Sequence, residues 1–242
     1  MKTIQIVKYQ IQQAKIALMI YYAIIFVIAI MLVSTMSRAG LKASENVYLG
    51  GLDFASMIFI LVLGLTSFKE SYYFMQANNI TRKGFYKGHL LSIFSIAAFM
   101  SFLDIIINLI LNTFSEYNTV FSQIYLRNNS MTVSTAFMNF IWSFSLLTLI
   151  AMIGYFIAIV YYRSNTVMKI VVSVAPFVLI NVLGYLNSIT DGAIGNAVNY
   201  FNTWMWGLQN GYHPYFASIN IFAAFIIFGV FSYLLIRKAP IK

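Results

Sequence analysis

Six long apolar runs, separated by shorter polar segments, set the pattern of this chain. A run of about 20 apolar residues crosses a bilayer as a helix, and lipid offers no partner to an unpaired backbone N–H or C=O group. Barrel strands would instead give short segments of alternating polarity. We therefore predict an all-α integral membrane protein, a single domain over residues 1–242, with six transmembrane helices. These helices are predicted at 16–36, 52–68, 90–111, 134–162, 170–186 and 216–236.

Composition excludes a soluble globular domain. Hydrophobic residues make up 61% of the chain and charged residues 9%, whereas a soluble domain has about 45–50% and about 25%. The chain contains no cysteine, which excludes disulfides, thiol catalysis and cysteine-ligated metal. The first apolar run is longer than the core of a signal peptide and no convincing cleavage site follows it, so we expect it to be retained.

Lys and Arg are concentrated on one side of these helices. Because cytoplasmic loops carry the excess of Lys and Arg, both termini are predicted to be cytoplasmic. The net charge of +9 then reflects helix flanks that face anionic membrane lipid, and nucleic acid is not expected as a partner. Abundant Ile, Asn, Lys, Tyr and Phe indicate AT-rich codons and hence a bacterial plasma membrane. Twelve basic residues lie on the predicted cytoplasmic side (Lys2, Lys8, Lys15, Lys69, Arg82, Lys83, Lys87, Arg163, Lys169, Arg237, Lys238 and Lys242) and three on the other (Arg38, Lys42 and Arg127).

Three segments outside the membrane helices are themselves partly apolar. Residues 1–15 mix Ile and Val with Gln and Lys, which predicts an amphipathic helix along the inner membrane surface. Residues 69–89 hold an aromatic cluster, an Asn-Asn turn and a basic restart, which predicts a short surface helix, a turn and a new helix. Residues 187–215 carry Trp and Gly with almost no charge, so we expect re-entrant helices that dip into the outer leaflet.

Motifs for catalysis are missing from the chain. It has no phosphate-binding loop, no His-Glu-x-x-His pair and no Gly-x-Ser-x-Gly elbow. His89 and His213 fall on opposite sides of the membrane in the predicted topology, so neither finds the converging partners of a metal site. We therefore expect no enzyme activity, no catalytic residue, no metal and no cofactor in this chain itself.

One acid, Asp104, lies well inside the third predicted helix. A charge near the bilayer centre costs about 2.5–3.5 kcal/mol, so its face should meet protein or water. Two interpretations stay open: a translocation pathway or subunit interface, and interhelical hydrogen bonds that hold the bundle together. Pro176 removes a backbone donor and can kink the fifth helix. The candidates of this kind are Ser101, Asp104, Asn108 and Asn112 on one helix face, with Asn139, Ser143, Pro176 and Asn181.

The layout and one decapeptide resemble the membrane (permease) subunit of type-2 ABC transporters. Residues 74–83 read FMQANNITRK, which is similar to the family's aromatic-rich helix, small-residue turn and Ile-Ser/Thr-Arg-Lys start of the third helix. Asn78 and Asn79 stand where the family commonly has Gly, a mild departure because Asn tolerates left-handed backbone angles. The resemblance covers the whole chain at the level of layout. Within the family, small permeases of low-GC bacteria often handle antimicrobial or cytolytic peptides such as phenol-soluble modulins.

The resemblance implies an exporter subunit that moves an amphipathic or hydrophobic peptide, lipid or drug out of the cytoplasm. A separate ATPase subunit would bind ATP and Mg and push on the coupling helix in residues 69–89. A second permease subunit would complete a homodimer or a heterodimer. On the family's pattern, the ATPase contacts would come from Glu70, Tyr72, Tyr73, Phe74, Asn78, Arg82 and Lys83.

Two other classes of function stay open at this point. A stand-alone membrane protein, such as a secondary transporter or an immunity or sensor protein, would need no ATPase. The matched discontinuous helices that many carriers show are not seen in this sequence. A membrane-embedded enzyme would need converging acids, histidines or metal ligands, and only Asp104 is deep in the predicted bundle.

Overall fold

A computed structural model describes residues 2–39, 51–114, 119–126, 132–209 and 211–239. Within these ranges every regular element is a helix, which confirms the predicted all-α class. Lys42, Arg127 and Lys242 of the charge pattern lie outside the described residues. The helices are α1 (Lys2–Ala39), α2 (Leu52–Thr66), α3 (Lys69–Ala77), α4 (Arg82–Phe114), α5 (Val120–Tyr125), α6 (Val133–Arg163), α7 (Thr166–Ile189), α8 (Ala193–Met205) and α9 (Pro214–Arg237).

Six helical stretches in the described part of the chain are long and apolar enough to cross a membrane, and the second of them, Leu52–Ala77, includes both α2 and α3. Two of them extend further than the apolar runs suggest. α1 continues from Lys2 without a break, since no Gly or Pro separates residues 1–15 from the first apolar run. α4 begins at Arg82, well before the predicted residue 90, because the buried side chains of Phe85 and His89 hold its first turns against the bundle.

α6 lies at the centre of the bundle. It packs along α2 and α9 and also against α4. Met152, Tyr155 and Ile159 on α6 are completely buried. α4 is also linked to α9, because the Tyr86 hydroxyl of α4 donates to the Gly229 carbonyl oxygen of α9 at 2.6 Å. The core is therefore a set of helices arranged around α6.

The crossing of α2 and α6 is a contact between backbones. A Cβ atom added to Gly154 would lie 2.4 Å from the Leu61 carbonyl oxygen, and one added to Gly64 would lie 2.4 Å from the Ala151 carbonyl oxygen. Small residues are common where membrane helices approach closely, because packing and not the hydrophobic effect holds them together. Two facing glycines thus fix this crossing.

The main packing partner of α1 is α4. The approach is again close, because a Cβ atom added to Gly88 would lie 2.6 Å from Cγ2 of Ile6. α1 and α2 touch each other over only a short stretch. A cleft therefore remains between α1 and α2, with α4 as its floor.

α7 and α8 form an outlying hairpin. Asp191 and Gly192 in its turn have φ angles of 48° and 85°, and the Asn187 side-chain oxygen accepts from the Gly195 backbone N–H at 2.6 Å. Neither helix contains a buried residue. The rest of the described chain therefore leaves most of the apolar surface of this hairpin uncovered.

Candidate functional site

A short helix and a turn lie at the end of the bundle where α1 begins and α9 ends, which we call the basic end. α3 is followed by Asn78 and by Asn79, whose φ of 54° is the left-handed geometry that Asn tolerates. The Asn78 side chain donates to the Phe74 carbonyl oxygen at 2.7 Å. The Thr81 hydroxyl accepts from the Gly84 backbone N–H at 3.2 Å in the first turn of α4. The structure therefore has the short helix, the turn and the new helix that the sequence pattern predicts.

Tyr72 anchors α3 to the bundle. Its side chain is completely buried, with ring centroids 5.1 Å from Phe68, 5.6 Å from Phe85 and 5.9 Å from Tyr162. Its hydroxyl donates to the Ala239 carbonyl oxygen at 3.4 Å. Tyr72 was expected at the contact with an ATPase, but its side chain is inside the protein and instead couples α3 to α4, α6 and the chain after α9.

The outer side of α3 carries a different set of side chains. Glu70, Phe74 and Asn78 are exposed and follow one another at intervals of four residues, so they share one face of the helix. The Phe74 ring also stacks on Tyr9 of α1, with centroids 4.6 Å apart and planes 5° apart. Tyr73 is half-buried beside Tyr162. We call Glu70, Phe74 and Asn78 the α3 face.

Arg82 and Lys83, at the start of α4, have different surroundings. The Arg82 guanidinium donates to the Arg237 carbonyl oxygen at 2.6 Å, and Arg163 donates to the Leu235 carbonyl oxygen at 3.3 Å. Both therefore satisfy carbonyl groups at the C-terminal end of α9, where a helix lacks internal donors and favours positive charge. Lys83 is exposed beside the α3 turn. Arg82 thus has a structural role, whereas Lys83 is displayed on the surface.

A cluster of polar side chains lies further from the basic end, where α1, α2 and α4 meet. The Tyr22 hydroxyl donates to Oδ1 of Asp104 at 3.1 Å and to the Met100 carbonyl oxygen at 3.2 Å. The Ser56 side chain hydrogen-bonds the same carboxyl group and lies 2.7 Å from the Tyr21 hydroxyl. Asp104 therefore links three helices.

Asp53 belongs to the same cluster and was missed in the sequence. Its Oδ2 accepts from the Val120 backbone N–H at 2.7 Å, and the Asn108 side chain hydrogen-bonds it. Asp53 and Asp104 line one small cavity. Because Asp53 is in the first turn of α2 and lines the same cavity, Asp104 is level with the end of α2 that begins at Leu52. The sequence did contain a signal for Asp53, because an acidic residue stands just inside the start of an apolar run.

The remaining polar candidates on α4 and α6 are buried or half-buried inside the bundle. Ser101 and Asn108 are buried and Asn112 is half-buried, so the polar face of α4 does turn toward protein. On α6 the Ser143 hydroxyl donates to the side-chain oxygen of Asn139 at 3.0 Å. The cluster around Asp104 and Asn108 consists of interhelical hydrogen bonds, which favours the structural interpretation over a pathway.

Pro176 and Asn181 lie apart from that cluster. Both are exposed on α7, which runs through Pro176 as one helix. The Asn181 side chain donates to the Phe177 carbonyl oxygen of its own helix at 2.8 Å. The structure therefore does not bring these two residues to Asp104.

α5 packs at the end of the bundle opposite the basic end. Thr119 caps it, since its hydroxyl accepts from the Ser122 backbone N–H at 2.9 Å. The Tyr125 hydroxyl donates to the Trp206 carbonyl oxygen at 2.9 Å. Burial raises the pKa of Tyr125 to about 12, so this hydroxyl keeps its proton and its hydrogen bond at neutral pH. α5 is in this way tied to the segment that follows α8.

The hydrogen bond between Tyr22 and Asp104 is expected to contribute measurably to stability. Tyr22→Phe and Asp104→Leu should each lower the free energy of unfolding, and a double-mutant cycle should give a coupling energy of about 1 kcal/mol, since interhelical hydrogen bonds in membranes are modest. Unfolding of the purified chain in mixed micelles measures this. Tyr185→Phe on exposed α7 is the matched control and should show no coupling to Asp104→Leu. Zero coupling for Tyr22 would contradict the proposed link.

No protein-family model, curated protein or solved structure matches the chain. Within the described ranges no group of three His, Asp or Glu side chains is placed to hold a metal ion. The function is therefore inferred from the geometry at the basic end, from the layout of the helices and from the resemblance of residues 74–83.

Proposed function

We propose that this chain is the permease subunit of an ATP-driven exporter of the type-2 ABC class. It spans the plasma membrane of a bacterium, with both termini in the cytoplasm, and exports an amphipathic or hydrophobic peptide, lipid or drug. A separate ATPase subunit supplies the binding and hydrolysis of ATP with Mg. Six helices of membrane-spanning length and the concentration of Lys and Arg at one end support the proposal.

The observation that carries the proposal is the construction of α3. Its inner side is fixed to the bundle by the buried ring of Tyr72, while Glu70, Phe74 and Asn78 are presented outward. A short turn joins α3 directly to α4. A force applied to the α3 face would therefore be transmitted to a helix that runs the full thickness of the bundle. This arrangement suits a coupling helix that a nucleotide-driven subunit moves.

The exposed apolar surface of the α7–α8 hairpin supports the proposal that a second permease subunit is present. α7 has no buried residue, and Phe177 and Ile180 on it are 70% and 69% exposed. Tyr200, Phe201 and Trp204 on α8 are also exposed, a composition typical of the membrane interface. In the proposed assembly the hairpin packs against a second permease subunit, of the same or a related sequence, and α8 enters the outer leaflet.

Purification of the tagged chain from native membranes tests this function. We expect a complex that contains two permease subunits together with ATPase subunits, and that hydrolyses ATP. Native mass spectrometry gives the subunit stoichiometry, and phosphate release gives the hydrolysis. Substrate transport by the chain reconstituted alone, without an ATPase, would instead support the stand-alone membrane protein.

A further inference from the structure

Two adjoining cavities lie along α9 on the part of its surface that begins at the end opposite the basic end. The first has a volume of about 690 Å³, which is within the range of pockets that bind small molecules. The second has a volume of about 400 Å³ and lies between α6 and α9. Tyr215 and Ile219 line both, so the two are parts of one continuous site. We call the first the aromatic cavity and the second the groove.

Hydrogen bonds within the protein fix the walls of the aromatic cavity. The Asn220 side chain on α9 donates to the Trp204 and Met205 carbonyl oxygens at 3.2 and 3.3 Å, which holds the end of α8 against α9. The His213 backbone N–H donates to the Gly207 carbonyl oxygen at 3.1 Å and closes the loop between the two helices. Gly207 has a φ of 64°, and a Cβ atom on it would lie 2.6 Å from the His213 carbonyl oxygen. The cavity is therefore a built feature of the fold.

Exposed aromatic side chains form much of this cavity. The rings of Trp204 and Phe216 are perpendicular, with centroids 5.9 Å apart and planes 86° apart. Aromatic residues are common at the membrane interface, where they face the headgroups singly. Here four of them, each between 42% and 55% exposed, converge on one concave space: Trp204, Tyr212, Tyr215 and Phe216. Because all four are exposed, a molecule in the cavity can reach them.

The polar groups of the aromatic cavity indicate an uncharged ligand. Gln209 and His213 line it and are exposed, and Tyr212 and Tyr215 add hydroxyl groups that both donate and accept. Among the described residues that line it there is no Asp, Glu, Lys or Arg. A phosphate head would therefore lack a cationic partner, and an ammonium head would lack a carboxylate. A sugar ring matches this lining, because its hydroxyl groups donate and accept and its C–H face packs on an aromatic ring.

The groove is almost entirely apolar and has the length of one membrane leaflet. Its α9 wall consists of positions 215, 218, 219, 222, 223 and 226, which are spaced by three and four residues and share one face of the helix. Ile141 and Ser145 of α6 form the other wall. From Tyr215 to Ile226 the helix rises about 16 Å, which is about half of the bilayer's hydrocarbon core of about 30 Å. The groove therefore matches a lipid acyl chain that reaches the middle of the bilayer.

We propose that the aromatic cavity and the groove together bind one membrane lipid whose head is an uncharged sugar. The sugar packs on the rings of Trp204 and Tyr212 and hydrogen-bonds the Gln209 side chain, and one acyl chain lies along Ile219 and Ile226. The site needs neither an ATPase nor transport, so it goes beyond the proposed exporter function. A failure of the test below would leave that proposal unchanged.

The chain has three Trp residues, of which Trp204 lines the aromatic cavity. The full chain, labelled with 5-fluorotryptophan, is placed in nanodiscs of dioleoylphosphatidylcholine, and Trp204→Phe assigns the ¹⁹F resonance of Trp204. Glucosyl-dioleoylglycerol added to the discs should shift this resonance saturably and leave that of Trp142, which is 2% exposed, unchanged.

Four comparison ligands identify which part of the lipid is bound. Dioleoylglycerol has the chains without the sugar, and methyl glucoside has the sugar without the chains. Dioleoylphosphatidylglycerol and dioleoylphosphatidylethanolamine carry a phosphate, the second with an ammonium group. Each should bind at least about tenfold more weakly than glucosyl-dioleoylglycerol, as expected when matched hydrogen bonds or the buried chain are lost.

Two pairs of variants separate binding at this site from partitioning into the membrane. Tyr212→Ala should weaken binding of glucosyl-dioleoylglycerol about fivefold, while Tyr200→Ala, at a position of α8 that is 68% exposed and outside the cavity, should leave it unchanged. Ala223→Phe fills the groove and should weaken binding at least about tenfold, whereas Val230→Phe, beyond the end of the groove, should not. The proposal is overturned if glucosyl-dioleoylglycerol does not shift the Trp204 resonance, if any comparison ligand binds as tightly, or if either control weakens binding as much as its partner.

Discussion

Gly154→Leu is expected to lower the stability of the protein strongly. The new side chain would start from a Cβ only 2.4 Å from the Leu61 carbonyl oxygen and 3.1 Å from the Leu65 backbone nitrogen. Backbone atoms cannot rotate away as a flexible side chain can, so α2 and α6 must separate. Overpacking usually costs about 1–3 kcal/mol and occasionally more. A cost of about 3 kcal/mol lowers the ratio of folded to unfolded protein roughly 100-fold, which thermal unfolding of the chain in detergent measures.

Gly184→Leu is the matched control for that substitution. Gly184 lies in the last third of α7, and a Cβ atom placed on it meets nothing within 4 Å. The same change of residue should therefore leave the unfolding temperature of the isolated chain within a few degrees of the original. Equal losses for the two variants would mean that the crossing of α2 and α6 is not the close backbone contact described above.

Substitutions at Phe74 on the α3 face and at Lys83 beside it are expected to weaken binding of the ATPase strongly without unfolding the permease. Phe74→Ala removes a ring that is 48% exposed, and Lys83→Glu reverses an exposed charge beside the turn. Central aromatic residues of an interface often contribute about 2 kcal/mol or more, so we expect each variant to retain a few per cent of the ATPase. Recovery of ATPase with the tagged permease measures this, and substrate export should fall in parallel.

Lys169→Glu provides the control for the charge change. Lys169 is exposed at the same end of the bundle but lies on α7, away from α3. It should retain the ATPase. Arg82 is a poorer probe than Lys83, because its loss also removes the hydrogen bond to the Arg237 carbonyl oxygen and so weakens the end of α9. Normal export by both the Phe74 and the Lys83 variants would exclude α3 as the coupling helix.

The all-α class and the number of membrane-length helices could be predicted from the sequence, because both depend on the length of the apolar runs. The short helix α5 could not, since no apolar run marks it. The turn after α3 was also predictable, since two Asn residues break one helix and Thr81 caps the next. These features are local. They depend on hydropathy and on backbone preferences that each residue brings with it.

The contacts between helices could not be predicted in the same way. α6 is apolar all round, so its sequence does not reveal which side meets α2 or that Gly154 faces Gly64. In the sequence, Tyr72 appears as one of several aromatic residues in a surface helix. Its burial depends on contacts with Phe85 and Tyr162, which are distant in sequence. Asp53 and Asp104 meet because α2 and α4 are antiparallel neighbours at that level.

The side of the membrane on which α3 lies tests the central claim most directly. The chain has no cysteine, so Asn78→Cys gives one reactive thiol in the exposed turn, and Asp191→Cys gives one in the turn between α7 and α8. A membrane-impermeant maleimide should label the Asn78 variant only in inside-out vesicles or permeabilised cells, and the Asp191 variant in intact cells. Labelling of the Asn78 variant in intact cells would place α3 outside the cell, beyond the reach of any ATPase, and would contradict the account.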